Sequence, residues 1–168
     1  MVAGELVRRW DLGRAKDRFR GRIVEGRVGG AAASGELGQA PRRVAVLCPQ
    51  TYMNDVGRSV GPARGSYKLP PERVLVVHDE IDLPFGEVRV RVGGGLAGHN
   101  GLKSLKRELG SADFSRVRVG VGRPDSTDPE IVSAWVLGRF RERDDTVAAL
   151  VGHAADEVER LVLDAADL

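Results

Sequence analysis

Asp79 is the residue whose type and position could most directly do chemistry. It closes the apolar run VLVVHD, residues 74–79, and in open α/β sheets ligands collect beyond the carboxyl ends of the strands, where loops and helix N-termini converge. A carboxylate there can orient a histidine or bind a metal; it can equally brace a turn by accepting from backbone amides. HDEID places His78, Glu80 and Asp82 close by. The two-residue period of a strand sends His78 and Asp79 to opposite faces, so they do not pair with each other, and His78 reads as a packed structural residue.

Two further corners could hold a ligand. GGGLAGHNG, residues 93–101, has five glycines in nine positions, a composition suited to a loop that moves or lets its backbone approach a ligand. It lacks the Lys-Ser/Thr ending of a nucleoside-triphosphate loop, and no GxGxxG follows a core strand, so a dinucleotide site is a weak alternative. His99 and Asn100 close this loop before a helix. Asn100 either meets substrate or caps the helix, and His99 either meets substrate or has a surface or capping role. In PQTYMN, Tyr52, Met53 and Asn54 follow the strand RRVAVLC. A ring and an amide together suit a base or a peptide bond; the alternative is a helix start with Asn54 as cap. Arg89 and Arg91 share one face of EVRVRV, as Arg116 and Arg118 do in FSRVRVGV. On adjacent strands they make a phosphate clamp, since guanidinium grips phosphate through paired hydrogen bonds; otherwise they are the wet side of a sheet. Cys48 reads as a small core residue. No metal and no cofactor is indicated.

The elements that must position these residues are set by periodicity. Val2, Leu6, Val7 and Trp10 predict a short amphipathic helix over 1–10. Residues 22–28 and RRVAVLC predict a hairpin joined by the loose segment GGAAASGELGQAP. A helix is expected over 53–67, weakened by Gly57, Gly61 and Pro62. VLVVHD reads as the central strand, buried on both faces, and EVRVRV and FSRVRVGV as half-buried strands. Between the last two, Leu102, Leu105 and Leu109 mark a helix that Gly110 closes. GRPDSTDPE reads as a linker, and residues 141–163 as an acidic helix. Strands interleaved with helices give an α/β domain, one twisted mixed sheet with helices on both faces.

Composition bounds the function. At 168 residues, 42% hydrophobic and 30% charged, the chain suits one domain over 1–168 with a real core. No apolar run nears the ~18 residues that span a bilayer, and no signal peptide opens the sequence. With one cysteine, a cytoplasmic protein is expected. Net charge is only +2, yet residues 1–64 carry 12 Lys and Arg against 6 Asp and Glu, and residues 129–168 carry 4 against 9. An acidic tail masks a basic body able to attract a polyanion such as nucleic acid.

TYMN, VVHDEIDLPFG, GGGLAGHNGLKSL and RVRVGVGRP, in this order and across essentially the whole chain, resemble the bacterial peptidyl-tRNA hydrolase family. The resemblance implies a monomeric, metal-free esterase with a mixed twisted sheet, which cuts the ester between peptide and tRNA and so recycles tRNA. It implies that Asp79 holds a catalytic histidine in its basic form. Asn54 and Asn100 would position the peptide and the tRNA 3′ end, with Tyr52 in the same cleft, Met53 lining the peptide groove and His99 at its edge. Arg91 and Arg118 would grip the 5′ phosphate of tRNA, which would explain discrimination against formylated initiator tRNA. Family members open with a strand and loop resembling VGLGNPG and then a TRHN segment, whereas MVAGELVRRW resembles the stretch just after those two. The catalytic histidine, the NPG asparagine and the first strand are therefore expected to be missing. The corresponding expectation is a gene product that begins about two dozen residues upstream. The alternative function is a non-catalytic RNA-binding relative.

Overall fold

The computed structural model describes residues 1–29, 40–96 and 98–164. Helix α1 (Val2–Arg9) begins the chain, with Leu6 buried. Three strands come next, β1 (Lys16–Arg18), β2 (Gly21–Val28) and β3 (Arg42–Pro49), paired antiparallel in that order. The predicted hairpin is β2–β3, with Ile23 opposite Leu47 and Val28 opposite Arg42. Most of its predicted loose connection lies outside the described residues. β1 has no apolar residue to signal it, and the sequence pattern does not predict it.

The predicted helix over 53–67 divides into a 3-10 turn, Met53–Asp55, and α2 (Gly57–Tyr67). Gly57 and Gly61 serve packing. A Cβ on Gly57 would collide with the carbonyl oxygen of Ser104, and one on Gly61 would lie 3.4 Å from Glu108 Cβ, so α2 can lie close along α3 (Asn100–Leu109). The Gly57 amide also donates to Ser104 Oγ at 3.0 Å.

The second sheet holds β4 (Leu75–Glu80), β5 (Val88–Val92) and β6 (Ser115–Gly120) in the order β4-β6-β5, parallel between β4 and β6 and antiparallel between β5 and β6. Two expectations are corrected here. Among the described residues there are two three-stranded sheets rather than one, and VLVVHD is an edge strand, with β6 at the centre. An edge strand is not covered throughout, and Val77 is 36% exposed. The expected Arg faces hold in register: Arg89 pairs with Arg118 and Arg91 with Arg116, all on one face.

Helices cover both faces of this sheet. On one, Leu102, Leu105 and Leu109 of α3 enclose Phe114, with Val76 packed against them. On the other, Leu6 and residues of α5 (Asp144–Asp164) bury Val117, with Leu75, Val88, Val90 and Val119 around them. Burying such side chains contributes about 1.5–3 kcal/mol each. Arg9 locks α1 to α5 by donating to Asp156 at 2.6 Å and Glu159 at 2.7 Å while holding Glu5. The segment read as a linker, residues 122–130, runs into the start of α4 (Pro129–Leu137), where the Asp128 side chain accepts from the Glu130 amide and proline stands in the first turn. Among the described residues no helix is long and apolar enough to cross a membrane.

Candidate active site

β4 carries the site, because it delivers chemically different residues to its two faces at one end. Leu75 and Asp79 face the α5 side, and Val76, His78 and Glu80 face the α3 side. Asp79 lines a cavity of about 360 Å³ together with Val121, Trp135, Phe140 and Arg141. Trp135 is fixed by its indole N–H, which donates to the Gly122 carbonyl at 3.1 Å, and the Arg141 guanidinium lies 4.9 Å from its ring centre. Phe140 packs edge-on against Phe85. No described residue hydrogen-bonds the Asp79 carboxylate, so a turn-bracing role is not what this side chain performs here. Sequence reasoning misses this aromatic wall. The signal lies in Asp128-Pro129 with Ile131, Val132, Trp135 and Val136 after it, a helix start with an apolar face.

On the opposite face His78 is buried. Its Nδ1–H donates to the Asp79 carbonyl at 2.7 Å, since a carbonyl only accepts. Nε2 is left as a buried lone pair without a partner among the described residues. Burial pushes its pKa below the usual imidazole value, against the opposing pull of that carbonyl, so the ring is neutral near pH 7. Its ring centre is 4.8 Å from that of His99, edge to face.

His99, not Asn100, is the N-cap of α3, with Nδ1 accepting from Gly101 N at 3.1 Å and Leu102 N at 3.3 Å. Asn100 is the first helical residue and exposed, so the capping alternative for it is set aside. The reason is reach: a side-chain acceptor one residue earlier meets the amides of the first turn. The 3-10 turn packs on this helix start, and a Cβ on Gly101 would lie 2.6 Å from Met53 Sδ. Asn54 is exposed on the same turn, and Tyr52, 85% exposed, precedes it without a side-chain cap bond. Met53, Asn54, His99 and Asn100 thus gather on the α3 side, while Asp79 opens on the other side of the same strand end.

The arginines divide by partner. Arg118, 17% exposed, pairs with Glu80, 9% exposed, at 2.9 Å. Arg116 is buried and donates to the carbonyls of Gly93 and Gly95, which ties the glycine loop to the sheet. Burial and the neighbouring Arg91 and Arg118 lower its pKa. Arg91 is exposed, its guanidinium lying so close over Gly94 that a Cβ there would be 2.5 Å from Nη2. Of the two predicted phosphate ligands, Arg91 is open to solvent and Arg118 is occupied by Glu80. Among the described residues no cluster of three or more His, Cys, Asp or Glu could hold a metal ion.

Comparison with known proteins gives a consistent result. A family model described as peptidyl-tRNA hydrolase matches residues 1–167. The chain is similar to the peptidyl-tRNA hydrolase of Mycobacterium avium (strain 104), 47% identical over 139 residues covering 81% of this chain and 70% of the relative. The same holds for that of Bradyrhizobium diazoefficiens, 41% identical over 167 residues covering 99% and 76%. Among solved structures, a peptidyl-tRNA hydrolase in complex with n-propanol superimposes with TM-score 0.77 at 32% identity, covering 96% of this chain and 76% of that one. The Acinetobacter baumannii peptidyl-tRNA hydrolase gives 0.76 at 31%, covering 97% and 76%.

Proposed function

The chain belongs to the peptidyl-tRNA hydrolase family, and from that premise we propose that it is built to cleave the ester between a peptide and the 3′ end of tRNA. The observation that carries the site assignment is the Asp79 carboxylate, free of hydrogen bonds from described residues and opening into an aromatic-walled cavity at a strand's carboxyl end. Ester hydrolysis near neutral pH needs a base to take a proton from the attacking water, and a positioned imidazole contributes roughly 10²- to 10⁴-fold. Asp79 is the group that would accept from that imidazole's N–H and hold the other nitrogen basic, the role an aspartate plays in hydrolytic triads.

The base itself is not among the three histidines of these 168 residues. His78 and His99 sit together on the α3 side of β4, across the strand from the Asp79 carboxylate, and His153 is exposed on α5 without a hydrogen bond to that carboxylate among the described residues. We therefore assign the base to an imidazole that this chain does not carry, and expect substrate binding without turnover from the chain by itself. Asn54, Asn100, Met53 and Tyr52 make the substrate side of the cleft, with His99 at its edge. Arg91 is the leading contact for the tRNA 5′ phosphate, and Arg118 joins it when Glu80 releases it. On this reading the protein acts as a cytoplasmic monomer, and its single cysteine, Cys48, suits a reducing compartment.

The test is to mix the chain with N-acetyl-aminoacyl-tRNA and follow both complex formation and peptide release. Binding that weakens with salt and no release are expected. An extended chain that brings an imidazole to the Asp79 carboxylate should release peptide. Absence of tRNA binding at low salt would defeat the assignment. The placement of the three histidines also favours a second reading, an RNA-binding relative without catalysis. Failure of the extended chain to release peptide while still binding tRNA would favour it.

A further inference from the structure

We propose that His99 is a positioning residue that sets Asn100 by capping α3, and that His78 braces its ring, so that one imidazole pair ties the Asp79 strand end to the first turn of α3. Its functional consequence rests on the hydrolase reading above. Each ring commits one nitrogen to the backbone of a different element: His78 Nδ1–H to the Asp79 carbonyl at 2.7 Å, and His99 Nδ1 to the Gly101 and Leu102 amides at 3.1 and 3.3 Å. The edge-to-face contact at 4.8 Å joins them. Met53 closes the third side, because Gly101 leaves no room between Met53 Sδ and the His99 ring, 2.6 and 2.9 Å from where a Cβ would be. The cap occupies the first free amides of α3, so this helix start is spent on holding a side chain rather than an anion.

The device requires His99 Nδ1 to be a lone pair. A proton there would face two amide donors and place a cation against the His78 ring. The charged groups around the pair do not supply a compensating anion directly to it. On β4, Glu80 is held by Arg118 of β6 at 2.9 Å, and Asp79 faces the opposite cavity. On the 3-10 turn, Asp55 lies 4.0 Å from Arg107 of α3. On α3, Lys103 brings a further positive charge one turn along, its amide returning to the His99 carbonyl at 3.1 Å.

Two readouts on the intact chain test this: hydrogen exchange of the Gly101 and Leu102 amides by NMR, and affinity for an N-acetyl-aminoacyl-adenosine whose ester is replaced by an amide. His99→Ala should expose both amides and weaken the probe roughly fivefold, the effect of losing a helix N-cap. His99→Asn keeps a capping acceptor, and should restore protection and bring affinity back to within about twofold. Protection and affinity unaltered in His99→Ala, or no recovery of either in His99→Asn, would overturn the inference. If the native chain does not bind the probe, the hydrolase reading is what has failed. The amide exchange of the two variants then decides the cap alone, in favour if only His99→Ala loses protection and against if neither or both do.

Discussion

Replacing Gly57 by alanine sets helix propensity against packing, and the geometry decides between them. Alanine is favoured over glycine inside a helix by roughly 0.5–1 kcal/mol, less in the first turn, where Gly57 stands. Against this, the new Cβ would collide with the backbone carbonyl of Ser104 and with Glu108 Cγ on α3. A carbonyl oxygen cannot rotate away as a side chain can, so α2 and α3 must separate, and such overpacking costs about 1–3 kcal/mol. The net expectation is a loss of about 1–2 kcal/mol, or roughly 2–8 °C in Tm for a chain of this size. Gly65 is the internal control: it lies on the same helix with nothing within 4 Å of its Cβ position. Gly65→Ala should raise Tm by roughly 1–4 °C. Thermal unfolding followed by far-ultraviolet circular dichroism checks both. A Gly57→Ala protein as stable as the native one, or two substitutions of the same sign, would refute the claim that these glycines exist for the α2–α3 contact.

Glu80→Gln should uncouple stability from phosphate binding. Breaking a buried ion pair on one side costs about 3 kcal/mol or more, yet it frees Arg118, now held at 2.9 Å. Lower stability in urea together with tighter tRNA binding and a steeper dependence on salt is expected in a filter-binding titration; weaker binding at unchanged fold would show that Arg118 is not a latent phosphate ligand. Arg91→Ala should weaken tRNA binding across sequences and flatten the salt dependence by about one charge, measured in the same assay. Acid should weaken the ion pairs that Glu5 makes within α1. Hydrogen bonds from Arg8 and Arg9 lower the Glu5 pKa from 4.5 to about 2, so Glu5 binds protons less readily folded than unfolded. Its contribution is then fully present above pH ~4.5 and fades as pH falls toward ~2. Stability measured by tryptophan fluorescence, reporting on Trp10 beside Glu159, should fall less steeply through that window in Glu5→Gln than in the native chain.

The sequence is most legible where local pattern and tertiary packing agree. Leu102, Leu105 and Leu109 with Gly110 closing the helix, and the Arg89/Arg91 and Arg116/Arg118 faces, emerge in the fold as their spacing requires. Separation of His78 from Asp79 to opposite faces of β4 comes from the strand period alone. The rest depends on neighbours. An apolar run such as VLVVHD has the same pattern in the middle of a sheet and at an edge, and only the pairing with β6 distinguishes them. α4 is hidden because PDSTDPE carries strong loop composition, and its cap and proline begin a helix whose apolar residues remain largely at the surface, with Leu137 83% exposed. Position alone leaves the cap of α3 open between His99 and Asn100, and only the fold assigns it to His99. Spacing likewise places Arg118 on the basic face without disclosing that Glu80, distant in sequence on the neighbouring strand, claims it.

The most direct test is the dependence of catalysis on Asp79. In a longer form of the chain that brings an imidazole to the Asp79 carboxylate, peptide release from N-acetyl-aminoacyl-tRNA should be measured under single-turnover conditions with and without Asp79→Asn. A fall of roughly 10²-fold or more with tRNA affinity unchanged is predicted. Undiminished release by the Asp79→Asn variant, or brisk release by the 168-residue chain alone, would contradict the assignment of Asp79 as the partner of an imidazole that this chain does not contain.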